Sequence, residues 1–330
     1  MITRQYAPFI HSEKNAPYIY LNVLVALIPC ICLSVVYYGL KSLITILVSV
    51  LLFFFSDLVF AGLLKKKTNS EDYYDLSSLI SGAVFALLLP GKTPLIVVIV
   101  GVLFASLVVK QLPGGVGTNV FNPAIAARMF VELIFPKEFM QFCQPLNDWF
   151  DITSLIYVPD GYSAIGNTTD IYFLEVITGR FATYMGIGCF ILIAVSGVFL
   201  LLKGIVRGYA MFGYMFAVLV SYPILHYSTV FTHAGLRAFA VYICTSGVAF
   251  IAVFALGDFT TMPINSYMRL FLSGVCGVVT TFMYQFSDPI TALCMPVLMI
   301  NLMTPICDYL SGVLFRKAGK KKQGKGGHAL

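Results

Sequence analysis

The chain has 330 residues, 59% of them hydrophobic and 11% charged, with a mean hydropathy of +0.88. This balance excludes a water-soluble globular fold and places the protein in the polytopic membrane class. The net charge of +6 is carried by clusters at the ends of apolar runs, so it reads as membrane topology and not as a nucleic-acid footprint.

Apolar runs close to the roughly 20 residues a spanning helix needs fall at about 18–38, 43–64, 77–90, 94–112, 121–135, 182–203, 209–226, 238–256, 265–284 and 289–315. They predict an all-α protein of about ten transmembrane helices, two of them short. The first run follows a polar stretch holding Arg4, His11, Glu13 and Lys14, and no small-residue cleavage site comes after it, so an uncleaved first helix is expected. Lys65–Lys67, Lys110, Lys203 with Arg207, Arg269 and the tail from Arg316 to Lys325 fall on the side shared with the N-terminus. The positive-inside rule makes that side cytoplasmic, with both termini inside. The segments are then a cytoplasmic 1–17, a first transmembrane repeat 18–135, an extracytoplasmic loop 136–181, a second repeat 182–315 and a basic cytoplasmic tail 316–330. Residues 319–330 read as disordered and able to touch anionic lipid.

The most informative stretch runs from Lys110 to Ala124 as Lys-Gln-Leu-Pro-Gly-Gly-Val-Gly-Thr-Asn-Val-Phe-Asn-Pro-Ala. It sets a glycine-rich, amide-bearing turn between two membrane-grade runs. Lipid offers no hydrogen bonds, so irregular backbone at that depth survives only where it is buried in protein or lines a cavity or cofactor site. The pattern also recurs. Ser81-Gly82 opens a segment that breaks at Pro90-Gly91 and leads on to Asn122-Pro123, while Ser246-Gly247 opens one that breaks near Gly257-Asp258 and leads on to Asp288-Pro289. Matching interrupted spans in two halves predict a repeat with a site at its interface. With five spans per half the two repeats are expected to be inverted.

Polar groups at membrane depth mark further candidates: Asp57, Glu132, Asp258 and Asp308. Asp57 reads equally as a functional group or a snorkelling one near the lysine run. Lys110 and Arg128 flank the glycine turn and suit a phosphate or a ring carbonyl, with membrane anchoring the competing reading for Lys110. His226 and His233 have no acidic or cysteine partner to suggest a metal. Seven of the eight cysteines lie in apolar runs, where they behave as small hydrophobes. No nucleophile–base pair or phosphate loop stands out, so redox chemistry would fall to a carried cofactor.

The run Val109 to Ala124 with Arg128 resembles the signature of the D subunit of Rnf-type ferredoxin:NAD oxidoreductases, and is similar to the B subunit of sodium-translocating NADH:quinone oxidoreductases. Leu88-Leu89-Pro90, Leu256 to Pro263, and Met299 to Asp308 support the match. The resemblance implies a bacterial plasma-membrane subunit that relays electrons between ferredoxin and NAD, coupled to sodium or proton translocation, with other membrane and peripheral subunits as partners. It also implies an FMN joined through its phosphate to a threonine of a Ser/Thr-Gly-Ala-Thr motif in the outward loop. Here that loop reads Asp160-Gly161-Tyr162-Ser163-Ala164-Ile165-Gly166-Asn167-Thr168-Thr169. Aligned on Ser163, the acceptor position is Gly166, which forms no ester. Aligned on the downstream Thr-x-Ile, it is Thr169, with Thr168 as the neighbouring choice. The cofactor-binding candidates are therefore Thr169, Thr168, Lys110, Gly115, Gly117, Asn119, Asn122, Arg128 and Asp258, with a second, non-covalent flavin also open. The alternative is a channel or transporter that passes a small solute between the repeats without electron transfer.

Overall fold

The computed structural model describes residues 16–63, 76–115, 117–142, 156–157, 176, 178–181, 183–206, 208–227, 233–258 and 260–326. Helix dominates. α1 (Ala16–Leu63), α2 (Leu76–Leu87), α3 (Leu95–Phe104) with a π-helical continuation Ala105–Gln111, and α4 (Pro123–Ile134) make the first half. A 3-10 turn (Pro136–Met140) and the antiparallel pair β1 (Gln141–Phe142) and β2 (Ile156–Tyr157) follow. The second half holds α5 (Phe190–Leu202), α6 (Gly208–Leu225), α7 (His233–Thr245), α8 (Val248–Phe250) with a π-helical continuation Ile251–Ala255, α9 (Ser266–Met283) and α10 (Pro289–Gly326).

Among the described residues four helices are long and apolar enough to cross a bilayer, and α7 with α8 makes a fifth bent by 44°. With α2, α3 and α5 as shorter apolar helices, this is the make-up of a multi-pass membrane protein. The 48 residues of α1 would extend about 72 Å if straight, more than twice the roughly 30 Å hydrocarbon core. They do not run straight. Gly39 leaves helical geometry at φ 72°, and Ser42 Oγ donates to the Ser34 carbonyl at 3.2 Å, although eight residues of helix would separate them by about 12 Å. The chain turns sharply there, into segments 16–38 and 40–63.

Each arm meets a different part of the molecule. Ser196 Oγ of α5 donates to the Ala26 carbonyl, while Ser49 Oγ donates to the Gly82 carbonyl of α2. At the turn, Tyr38 OH reaches the Thr183 carbonyl at 3.0 Å and Lys41 Nζ the Lys92 carbonyl at 2.8 Å. The core lies where α1, α2, α4, the segment 184–187 and the α8 unit converge, around Phe53, Phe85, Leu87–Leu89, Ile187 and Phe250.

Two expectations change. Ser81-Gly82 sits inside unbroken α2, whereas Ser246-Gly247 is itself the bend between α7 and α8, because Gly247 adopts φ 82° against Ile187. The second half thus bends one step before its equivalent in the first. The expected disordered tail is helical as far as Gly326, α10 running on through its lysines in spite of Gly319 and Gly324.

Gly82 is where α1 and α2 touch backbone to backbone: a Cβ there would lie 2.8 Å from Val50 Cα and 3.0 Å from the Ser49 carbonyl. Backbone cannot give way as a side-chain tip can. Gly82→Val should destabilise the detergent-solubilised protein by about 1–3 kcal/mol, and an unchanged thermal midpoint would show that the contact is not constraining.

Candidate functional site

Two helix breaks face each other across one cleft. The first follows the π-helical turn that carries Lys110. Gly114, Gly115 and Gly117 take φ values of 144°, 97° and 81°, and the chain closes on itself through Gly115 N–H to the Lys110 carbonyl and Thr118 N–H to the Gly115 carbonyl. These left-handed positions explain the glycines, because β-carbons would be strained there. Helix restarts at α4, where Asn122 Oδ1 accepts from Ala124 N–H and Ile125 N–H and Pro123 occupies the first turn.

The second break follows the π-helical turn of α8. Asp258 organises it, accepting from Thr260 N–H at 3.0 Å and Thr260 Oγ1 at 2.8 Å. Asn265 then caps α9 by accepting from Tyr267 N–H. Arg269, buried in α9, donates from Nε to the Pro263 carbonyl.

The cleft between them has a volume of about 60 Å³, room for several water-sized groups. Its polar lining comes from Tyr20, Ser77, Ser81, Lys110, Asn119, Asn122, Asp258 and Thr260. Its apolar walls come from α1, α2, the start of α4 and, in the second half, Leu200, Ile205, Val206, Val253 and Phe254. Asn119 Oδ1 is buried and finds no hydrogen-bond partner among the described residues. An orphaned acceptor on such a wall calls for a donor from whatever occupies the cleft.

The structure therefore brings Lys110, Asn119, Asn122 and Asp258 together. Gly115 and Gly117 shape the turn without lining the cleft. Arg128 belongs to a second cluster: fully buried, it donates from Nε to the Leu88 carbonyl, pairs with Glu132 at 2.9 Å and stacks 4.0 Å from the centre of the Phe139 ring. Glu132 in turn accepts from Thr291 of α10. Thr168 and Thr169 lie outside the described residues.

Lys110 and Asp57 form an ion pair at 2.6 Å, the side chains 1% and 7% exposed. Lys110 also donates to Ser77 at 2.9 Å and Ser78 at 2.7 Å, and Asp57 accepts from Ser78 and Ser106. Both charges are enclosed by protein. Burial inside the protein replaces both the snorkelling reading of Asp57 and the anchoring reading of Lys110. The pairing spans 53 positions and could not be read from local sequence. Asn301 was also missed as a site residue. Its signal was an amide in the middle of an apolar span, which seldom occurs without a partner.

A model of the NQR2, RnfD, RnfE family matches residues 3–312. The chain belongs to this family. Among similar proteins of the family, the D subunit of the Na(+)-translocating ferredoxin:NAD(+) oxidoreductase complex of Acetobacterium woodii is 26% identical over 317 residues, covering 93% of this chain and 92% of that one. The D subunit of the ion-translocating oxidoreductase complex of Salmonella arizonae is 23% identical over 341 residues, covering 92% and 95%. The corresponding protein of Salmonella enteritidis is 22% identical over 342 residues with the same coverage. The glycine turn and both helix breaks thus fall inside the family match.

Removing the ammonium would leave the Asp57 carboxylate buried and uncompensated. Lys110→Met should cost about 3–5 kcal/mol, and combining it with Asp57→Asn should recover most of that loss. Thermal unfolding of the single and double variants checks this, and a Lys110→Met protein that melts with the wild type would remove the pair from the account.

Proposed function

We propose that this chain is the D-type membrane subunit of an ion-translocating ferredoxin:NAD oxidoreductase complex, carrying flavin and relaying electrons in step with Na+ or H+ movement. The carrying observation is the cleft at the meeting of two helix breaks, drawn from both halves of a chain whose similar family members bear that subunit name. Such a placement suits a cofactor that must sit within the membrane between neighbouring subunits.

The lining has the chemistry a flat heteroaromatic ring would meet, but its volume of about 60 Å³ is short of a three-ring flavin, so the cleft would have to widen to admit one. Phe254, Val84 and Val253 supply apolar faces, while Asn119, Ser81 and Thr260 supply polar groups for a ring edge. A flavin held there would accept and pass on electrons one or two at a time. The chain's own contribution is to exclude water, to meet polar atoms of the ring and to keep the Lys110 charge neutralised by Asp57 beside it. Side-chain catalysis plays no part in this reading. A covalent FMN on Thr169, or on Thr168, would be carried separately on the outward loop, where Gly166 and Asn167 let a phosphate approach the backbone.

The same reading includes ten spans: the two arms of α1, then α2, α3 and α4, followed by α5, α6, the bent α7–α8 unit, α9 and α10. They form two inverted five-helix repeats, 18–135 and 182–315, in a bacterial plasma membrane with both termini cytoplasmic and 136–181 outside. The lysine and arginine distribution supports this orientation. Other membrane and peripheral subunits complete the complex.

Intact-mass spectrometry of the chain co-expressed with its flavin transferase tests the covalent group. The expected mass exceeds the unmodified chain by one FMN less one water, and Thr168→Val with Thr169→Val abolishes the increment. Acid extraction then tests the second flavin, which should be released from the wild type and depleted in Asn119→Leu. A protein with neither flavin would favour a solute channel through the same cleft.

A further inference from the structure

Asn301 lies on α10 and is 1% exposed, behind the cleft rather than in its lining. With its amide oriented so that both ends are paired, its oxygen accepts from Asn122 N–H at 3.0 Å and its nitrogen donates to the Thr261 carbonyl at 3.3 Å. Asn122 closes the glycine turn, and Thr261 lies in the break that follows α8. One planar amide therefore touches both loops that wall the cleft.

The second break is tied to α10 at further points, since Thr304 Oγ1 donates to the Thr261 carbonyl and Asp308 accepts from Ile264 N–H. Asn301 carries that attachment across to the first break. We propose that Asn301 is a positioning residue, fixing the separation of the two breaks and so the width of the cleft. A donor and an acceptor held on one rigid group set a distance that two independent side chains would not. Losing the bond to Asn122 in an apolar interior strands a backbone N–H that hydrocarbon cannot satisfy, and losing the bond to Thr261 leaves that carbonyl on Thr304 alone. The first loop would then shift to re-pair its N–H, and the second would lose its tie to the first.

The link stands whatever fills the cleft; only its effect on a bound flavin rests on the function proposed above. The experiment uses the assembled complex in lipid nanodiscs, with the native cysteines of this chain replaced and spin labels on cysteines at Val120 and Ile264, one exposed position on each loop. Pulsed electron resonance should give one narrow distance in the wild type. Asn301→Leu, which removes both bonds, should broaden and displace it. Asn301→Asp, which keeps the acceptor for Asn122 N–H but loses the donor to Thr261, should broaden it less. Retention of non-covalent flavin should fall on the order of tenfold in Asn301→Leu, the scale of one net hydrogen bond.

Wild-type distance distributions in both variants would overturn the proposal. Should Asn301→Leu fail to assemble, the Asp variant decides by the same criterion. A displaced distance in a complex that holds no flavin would keep the positioning role and refute the cofactor reading.

Discussion

Hydrocarbon supplies no hydrogen-bond partners, so each backbone group that leaves a helix inside the membrane has to be met by the protein itself. The segment after α2 illustrates how far this reaches. The Leu87 carbonyl accepts from Gly186 N–H, the Leu88 carbonyl from Arg128 Nε, the Leu89 carbonyl from Met185 N–H and the Pro90 carbonyl from Thr93. Four consecutive acceptors are satisfied from three regions of sequence. This demand explains why an arginine is buried in α4 and why residue 186 is glycine: its β-carbon would lie 2.6 Å from that of Leu87. The packing of the second half against the first follows from the same need.

Charge obeys the same constraint more severely, because an isolated ion in a low-dielectric interior is far costlier than an unmet amide. The protein answers by grouping charges with hydroxyls and aromatic faces. Lys110 and Asp57 share Ser78, with Ser77 on the lysine and Ser106 on the aspartate, and Arg128 has Glu132, a carbonyl and the Phe139 ring. The two clusters do different work. The first reaches the cleft through Lys110, while the second ties α4 to α10 through Thr291.

What was legible in the sequence was whatever depends on neighbours along the chain. Apolar runs gave most helix positions to within a few residues, although α5 begins at Phe190 and not near 182 and α10 runs on to Gly326 and not to 315. Asn122-Pro123 stands at the start of α4, and Gly114 to Gly117 form the glycine-rich turn. The matching breaks pointed to an interface between the halves, and of the nine candidate residues Lys110, Asn119, Asn122 and Asp258 line one cleft while Gly115, Gly117 and Arg128 do not. Contacts across the fold were not legible. The partners of Asp57, the separation of Arg128 from the cleft, and the bridge made by Asn301 depend on how helices distant in sequence pack. Nor did the composition of the tail reveal a helix, since lysine is at home both in solvated coil and in an exposed helical turn.

The sharp turn at Gly39 has a bearing on biogenesis. One arm of α1 can dock on α2 almost as soon as it is made, but the Ala26 carbonyl of the other waits for Ser196, 170 residues later. At about 5–20 residues per second, translation leaves that arm without its final neighbour for roughly 10–30 seconds. During that interval the 16–38 arm must be held by lipid or by the insertion machinery. The first and second halves are therefore joined late, when the arrival of α5 displaces whatever guarded its place.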